Sequence, residues 1–113
     1  MSKKEGDTGE NLAAEYLISK GYRILHRNFR CRFGEIDIIA SKGSVVAFIE
    51  VKYRKTERFG KGFEAVSQRK IEKIQKASQY FISTNPDRYH YRYDVISIDN
   101  GKITHIENAF SYE

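Results

Sequence analysis

The sequence predicts an α/β domain: a central, mixed, five-stranded sheet flanked by helices. Three observations carry this expectation. Apolar residues recur at helical spacing in two segments, short runs of alternating character lie between and after them, and turn-forming residues separate the runs. A chain of 113 residues suits one domain, residues 1–113, with a single modest core.

In the first segment, Asp7 and Glu10 have capping-box spacing. Leu12, Ala13, Tyr16 and Leu17 then repeat at helical intervals until Gly21. The spacing predicts an amphipathic helix over 7–20. It sets Glu10 a turn ahead of Ala13, Ala14 and Leu17, at the edge of the apolar face and turned toward a sheet. Residues Tyr22 to Phe29, Glu35 to Ala40 and Val45 to Tyr53 read as three strands of an antiparallel meander, the last two joined around Ser41, Lys42, Gly43 and Ser44. Arg54 to Phe63, with Lys55, Arg58, Lys61, Gly60 and Gly62, reads as a basic loop. Ser67 is placed to cap a second helix carrying Ile71, Ile74, Ala77, Ser78 and Phe81 on one face, ending before Asn85 and Pro86 and crossing the sheet. A fourth strand, Tyr91 to Ile98, turns at Asn100 and Gly101 into a fifth, Lys102 to Ile106.

Composition narrows the function classes. Twenty Lys and Arg against 15 Asp and Glu give a formal charge of +5 and a pI near 9.3, which favours polyanionic partners. The longest apolar run, Val45 to Ile49, is too short to span a bilayer, and the start MSKKEGDTGEN lacks the apolar stretch of a signal peptide; the expected location is the cytoplasm. The single cysteine, Cys31, forms no internal disulfide and reads as a small filler near a strand end. His26, His90 and His105 lack ligand spacing.

The stretch AFIEVKYR holds the chemistry. Side chains alternate along a strand, so Glu50 and Lys52 share a face with Val46 and Phe48 while Ile49 and Val51 take the other. By the same rule GEIDIIA sends Ile36 and Ile38 one way and Glu35 and Asp37 the other. On neighbouring strands, Asp37 and Glu50 can meet. Paired carboxylates suit a hard divalent cation such as Mg²⁺ (or Mn²⁺), and an adjacent lysine can orient an attacking water and offset charge on a phosphate. The alternative is a solvated face bearing an ordinary ion pair, but charges that continue an apolar stripe require compensation.

Several segments in order, GENLAAEYLISKGYRILHRNFR, GEIDIIA, FIEVKYR, KIQKASQYF and RYDVISI, resemble the YraN family of small bacterial proteins with a restriction-endonuclease-like fold. More broadly, the order Glu10, Asp37, then Glu50 and Lys52 as E-V-K resembles the PD-(D/E)XK nucleases, particularly archaeal Holliday-junction resolvases. The resemblance runs from about Gly6 to Phe110. It implies Asp37 and Glu50 as metal ligands with the Val51 carbonyl, Lys52 as the catalytic lysine, and Glu10 as a supplementary carboxylate from the helix. Gln68 and Lys70 would match polar residues at the start of the second helix. The implied reaction is hydrolysis of a phosphodiester, most naturally in DNA, leaving a 5′ phosphate and a 3′ hydroxyl, and the implied assembly is a homodimer. Two departures stand out: Ile36 replaces the proline of the family name, and Glu35 adds a carboxylate.

Around this centre, Arg54, Lys55, Arg58 and Lys61 after Lys52 are either a plain solvated loop, the usual role of a charge run, or, with Arg30 and Arg32 before the acidic strand, a candidate phosphate-gripping track. Gln68 and Lys70 would join it; taken alone, Lys70 reads as a stem lying over the core. Tyr89, Tyr91 and Tyr93 share one face and are either a base-stacking stripe or packing, the commoner use. The rival functions are a non-catalytic nucleic-acid-binding module with the same fold and, behind it, a protein-interaction subunit with a structural or vestigial metal site.

Overall fold

The computed structural model of the chain describes residues 3–54, 67–85 and 90–110, with side chains from Thr8 onward. Its elements run α1 (Lys3–Ser19), β1 (Arg23–Cys31), β2 (Gly34–Lys42), β3 (Val45–Arg54), α2 (Gln68–Thr84), β4 (His90–Asp99) and β5 (Lys102–Ile106). The five strands form one sheet in chain order. Each expected element is present, and the basic loop residues Lys55, Arg58 and Lys61, like Tyr89, lie outside the described residues.

Short connections force the antiparallel pairs. Gly43, at φ +59°, turns β2 into β3, and Asn100 and Gly101, at φ +51° and +80°, make the two-residue turn from β4 into β5. Between β3 and β4 the pairing is parallel, from Val45 opposite His90 to Arg54 opposite Asp99. A parallel pair needs a crossover, and α2 supplies it. Ser67 caps this helix as expected, its Oγ accepting from Lys70 N at 3.2 Å. At the end of α1, Gly21 at φ +91° lets Tyr22 N donate to Leu17 O and Gly21 N to Ile18 O, a left-handed stop.

The helices cover opposite faces. On the α1 side Ala13, Ala14 and Leu17 pack on Ile38, Ile49 and Ile96. On the α2 side Ile74, Ala77 and Phe81 pack on Ile36, Ile39 and Phe48. A Cβ on Gly9 would lie 2.6 Å from Tyr53 Cβ, so glycine is what allows α1 to lie this close to β3. Tyr91 stacks on Phe48, and Tyr93 is buried against Phe110 with its hydroxyl 2.5 Å from Ser78 Oγ. The tyrosine stripe is packing at both described positions. Half-buried Cys31 closes β1 at the edge of the α2-side core.

Two expectations need correction. Helix α1 begins at Lys3, so Asp7 lies inside it rather than capping it, and the Glu10 carboxylate instead accepts from Arg27 Nε at 2.9 Å and Asn28 Nδ2 at 3.1 Å. Tertiary donors outcompete a local cap there. Ile36 and Ile38 do not share a face: Ile36 belongs to the α2-side core and Ile38 to the α1-side core. Strict alternation presumes an unbroken ladder, whereas β2 and β3 stop pairing at Ile38 and Ile49, and Asn28 on the neighbouring strand takes φ +54°.

The α1 face also holds a closed ionic cluster. Asp94, with no exposed surface, accepts from Arg92 Nε at 2.8 Å, His105 Nε2 at 2.7 Å and Asn108 N at 3.0 Å. Arg92 also donates to the Tyr22 hydroxyl at 2.6 Å, and the Tyr16 hydroxyl lies 3.3 Å from His105 Nδ1. Burial alone would raise the Asp94 carboxyl, but the bonds from His105, Arg92 and Asn108 prevail and hold it below the ordinary value of 3.8. A depressed carboxyl contributes stability above its unfolded pKa and loses it as pH falls through the folded one. Asp94→Asn is therefore expected to cost about 3 kcal/mol at neutral pH in urea unfolding. The gap from wild type should narrow below pH 3.8.

Candidate functional site

Where the apolar stripe of β3 on the α2 face ends, Glu50 begins. The residue is 4% exposed, directly after Val46 and Phe48 on that face, and opposite Val95 of β4. Desolvating it requires nearby cations. Lys70 Nζ lies 2.5 Å from Glu50 Oε1 and Lys52 Nζ 3.5 Å from the same oxygen. Lys52 arrives from the same strand two residues on; Lys70 arrives from the first turn of α2, which Ser67 caps.

Asp37 enters from the point where β2 leaves β3. Its Oδ2 accepts the Val51 N–H at 2.8 Å, taking the place of a strand carbonyl. Burial, then the charge of Glu50, raises this carboxyl from 3.8 to about 7, against the Val51 bond and Lys70, which pull it down. Lys52 is lowered by burial and by Lys70, with Glu50 opposing. Lys70 is also penalised by burial, yet Glu50 overrides this and holds it above the ordinary lysine value. Of the two ammonium groups, Lys52 is the readier to give up its proton.

The expected residues separate into groups. Asp37, Glu50, Lys52 and Lys70 converge, so Lys70 is more than a stem over the core. Glu10, 6% exposed, lies near enough for its charge to raise Asp37, but its Oε1 is occupied by Arg27 and Asn28. Arg30 is held by Glu35 at 3.0 Å, and the Arg32 guanidinium lies 4.8 Å above the Phe33 ring. Gln68 is exposed, and Arg54 closes β3 with its carbonyl receiving Asn100 N. Ser97 and Asp99, buried opposite Lys52 and Arg54 and bonded to each other, extend the polar strip on β4. Alternation in the run Val95, Ser97, Asp99 is the signal that would have found them.

The donor set suits a hard divalent cation. Asp37 and Glu50 offer oxygen ligands, their mutual repulsion is part of what raises Asp37, and the Lys70 ammonium stands against Glu50 as a counter-cation. Among the described residues no group of three or more Asp, Glu, His or Cys is arranged to hold a metal ion by itself. Further positions would fall to the Val51 carbonyl and to water.

Fold and site together define a small α/β protein with a buried carboxylate–lysine centre on a mixed five-stranded sheet. The chain belongs to the family described as Uncharacterised protein family UPF0102, which matches residues 9–98 and is the YraN family. It is 50% identical to a UPF0102 protein of Thermodesulfovibrio yellowstonii over 93% of this chain and 94% of that one. A UPF0102 protein of Sulfurihydrogenibium sp. is 45% identical over 97% of this chain and 96% of its own length. None of the described helices is long and apolar enough to cross a membrane.

The raised Asp37 carboxyl has a thermodynamic signature. Its folded pKa of about 7 lies above the ordinary 3.8, so the folded protein holds a proton that the unfolded chain has lost. Metal-free stability should fall as pH rises between those values, with the cost complete above them. Asp37→Asn is expected to remove this slope and raise the metal-free melting temperature at about pH 8 by on the order of 5 °C. Mg²⁺ should raise the wild-type melting temperature and leave that of Asp37→Asn unchanged.

Proposed function

We propose that this protein is a metal-dependent endonuclease that hydrolyses phosphodiester bonds in nucleic acid, DNA foremost, on a restriction-endonuclease-like form of the α/β fold. One observation carries the reading: a buried glutamate gripped by two lysines, beside an aspartate pushed up to about 7, at the end of an otherwise apolar strand face. Perturbed, desolvated groups of opposite charge are costly to maintain without a chemical purpose. The Asp94 cluster offers the contrast, since there every donor is matched and the carboxyl is lowered.

Asp37 and Glu50 would hold Mg²⁺ or Mn²⁺, which when bound supplies positive charge at the scissile phosphate. The remaining work falls to the chain. Glu50 is fixed by Lys70, so its carboxylate has one orientation. Lys52, lowered by burial and Lys70, is suited to position a water and accept its proton during attack on phosphorus. As the water oxygen joins phosphorus the P–O3′ bond breaks, the departing oxygen takes a proton from solvent to become the 3′ hydroxyl, and the phosphate stays on the 5′ side. Glu10 acts through Arg27 and Asn28 to seat α1 beside Asp37. Arg32, Arg54 and Gln68, with Arg30, Lys55, Arg58 and Lys61, make up the proposed backbone-gripping track. The proposal includes a homodimer, checked by light scattering after size exclusion.

The test is metal-dependent cleavage of labelled branched, single-stranded and duplex DNA. Glu50→Gln and Lys52→Ala are each expected to lose about a hundredfold or more in rate while remaining folded. Unchanged cleavage by Glu50→Gln would refute the mechanism. Salt-sensitive binding with no turnover by the wild type would instead favour the non-catalytic binding module.

A further inference from the structure

Beside the carboxylate–lysine centre, between the start of β2 and the first turns of α2, lies a groove of about 550 Å³. Its α2 wall carries Arg69, Lys70 and Lys73, and its β2 wall is Gly34 and Glu35. The Glu35 carboxylate is engaged by Arg30 at 3.0 Å, so the groove keeps a cationic balance. Lys70 belongs both to this wall and to the contact with Glu50, so the groove adjoins the proposed catalytic centre.

The cationic wall continues along α2. Arg69, Lys73, Lys76 and Tyr80 are exposed and recur at intervals of four, three and four residues, one stripe along the helix. Among the described residues Arg69, Lys73 and Lys76 have no carboxylate partner, although Glu72 is exposed on the same helix. At the far end Tyr80, 45% exposed, meets Phe33, 37% exposed, with ring centroids 6.3 Å apart. Phe29 lies against Tyr80 with ring centroids 6.4 Å apart, and the Arg32 guanidinium lies over Phe33 at 4.8 Å. Gly34, at φ +152°, allows the β1–β2 turn to sit against the helix, since a Cβ would lie 3.2 Å from Lys73 Cβ and 3.3 Å from its carbonyl oxygen.

We propose that this strip is a docking path for an unpaired nucleic-acid strand, with Arg69, Lys73 and Lys76 on successive phosphates and Phe33 and Tyr80 stacking an exposed base. The proposal rests on the reading of the site as a nuclease and names its substrate: a single strand, or the single-stranded arm of a larger substrate. Exposed ring faces beside phosphate-binding cations serve unpaired bases, because in a duplex the base faces are already stacked on each other. From Lys70 to Tyr80 the helix rises about 15 Å.

The test is fluorescence anisotropy without metal, using labelled oligo-dT, oligo-U of the same length and a blunt DNA duplex. Both single strands, or one of them, should bind at least tenfold more tightly than the duplex, and the preferred one identifies the sugar. Phe33→Ala with Tyr80→Ala is expected to weaken single-strand binding at least about fivefold and leave duplex binding unchanged. Tyr80→Phe should retain wild-type binding. Tyr80→Ala alone, on the exposed helix face, provides the same readout if the double substitution lowers the melting temperature. Equal single-strand affinity in wild type and ring variants, or preference for the duplex, overturns the proposal. Metal-dependent cleavage by the same proteins separates the two ideas. Ring-dependent strand binding without cleavage leaves the path standing and removes the catalytic reading; duplex cleavage indifferent to the rings does the reverse.

Discussion

Parallel pairing of β3 with β4 is the constraint on which the molecule depends. A parallel neighbour cannot be reached by a tight turn, so the chain leaves β3 and returns through a helix. That helix must lie across one face of the sheet, and α1 takes the other. The crossover therefore brings the first turn of α2 over the strand end where Glu50 stands, and Lys70 closes on it at 2.5 Å. Without the crossover, Glu50 would be a buried charge served by Lys52 alone.

Two buried carboxylates on the same sheet show how surroundings divide structural from reactive groups. Asp94 is met by a guanidinium, an imidazole and an amide, all within hydrogen-bonding distance, and its acidity is increased. Asp37 has the Val51 amide and a neighbouring carboxylate, and its acidity is reduced. Saturation of acceptors makes the first a brace between β4 and β5; incomplete saturation leaves the second open to a proton or a cation. Chemistry becomes available where the sheet opens, because β2 stops pairing with β3 at Ile38 and hands the next amide to a side chain.

Most of the fold is legible in the amino-acid sequence. Helical spacing in residues 67–84, the Ser67 cap and the Asn100–Gly101 turn all mark elements whose local signals agree with their tertiary role. The helix start at Asp7 misled because Asp7 and Glu10 satisfy a local pattern, while Arg27 and Asn28, far along the chain, supply stronger partners for Glu10. The face assignment of Ile36 failed for a related reason: alternation is a property of paired strands, and pairing ends there. Glu50 and Lys52 are legible because both lie on one strand, whereas only the tertiary structure sets Arg69 and Lys73 beside a groove and lines Lys76 up behind them.

Alone, the sequence determined the composition of each element, the faces of β3 and the presence of an acid and a base two residues apart on one of them. Those follow from backbone geometry, which repeats every few residues and needs no distant partner. Only the tertiary structure decided that Lys70 rather than solvent meets Glu50, that Asp37 faces an opened ladder, and that Phe33 finds Tyr80. Such contacts join residues separated by tens of positions, and their strength comes from burial, which arises only when both faces of the sheet are covered.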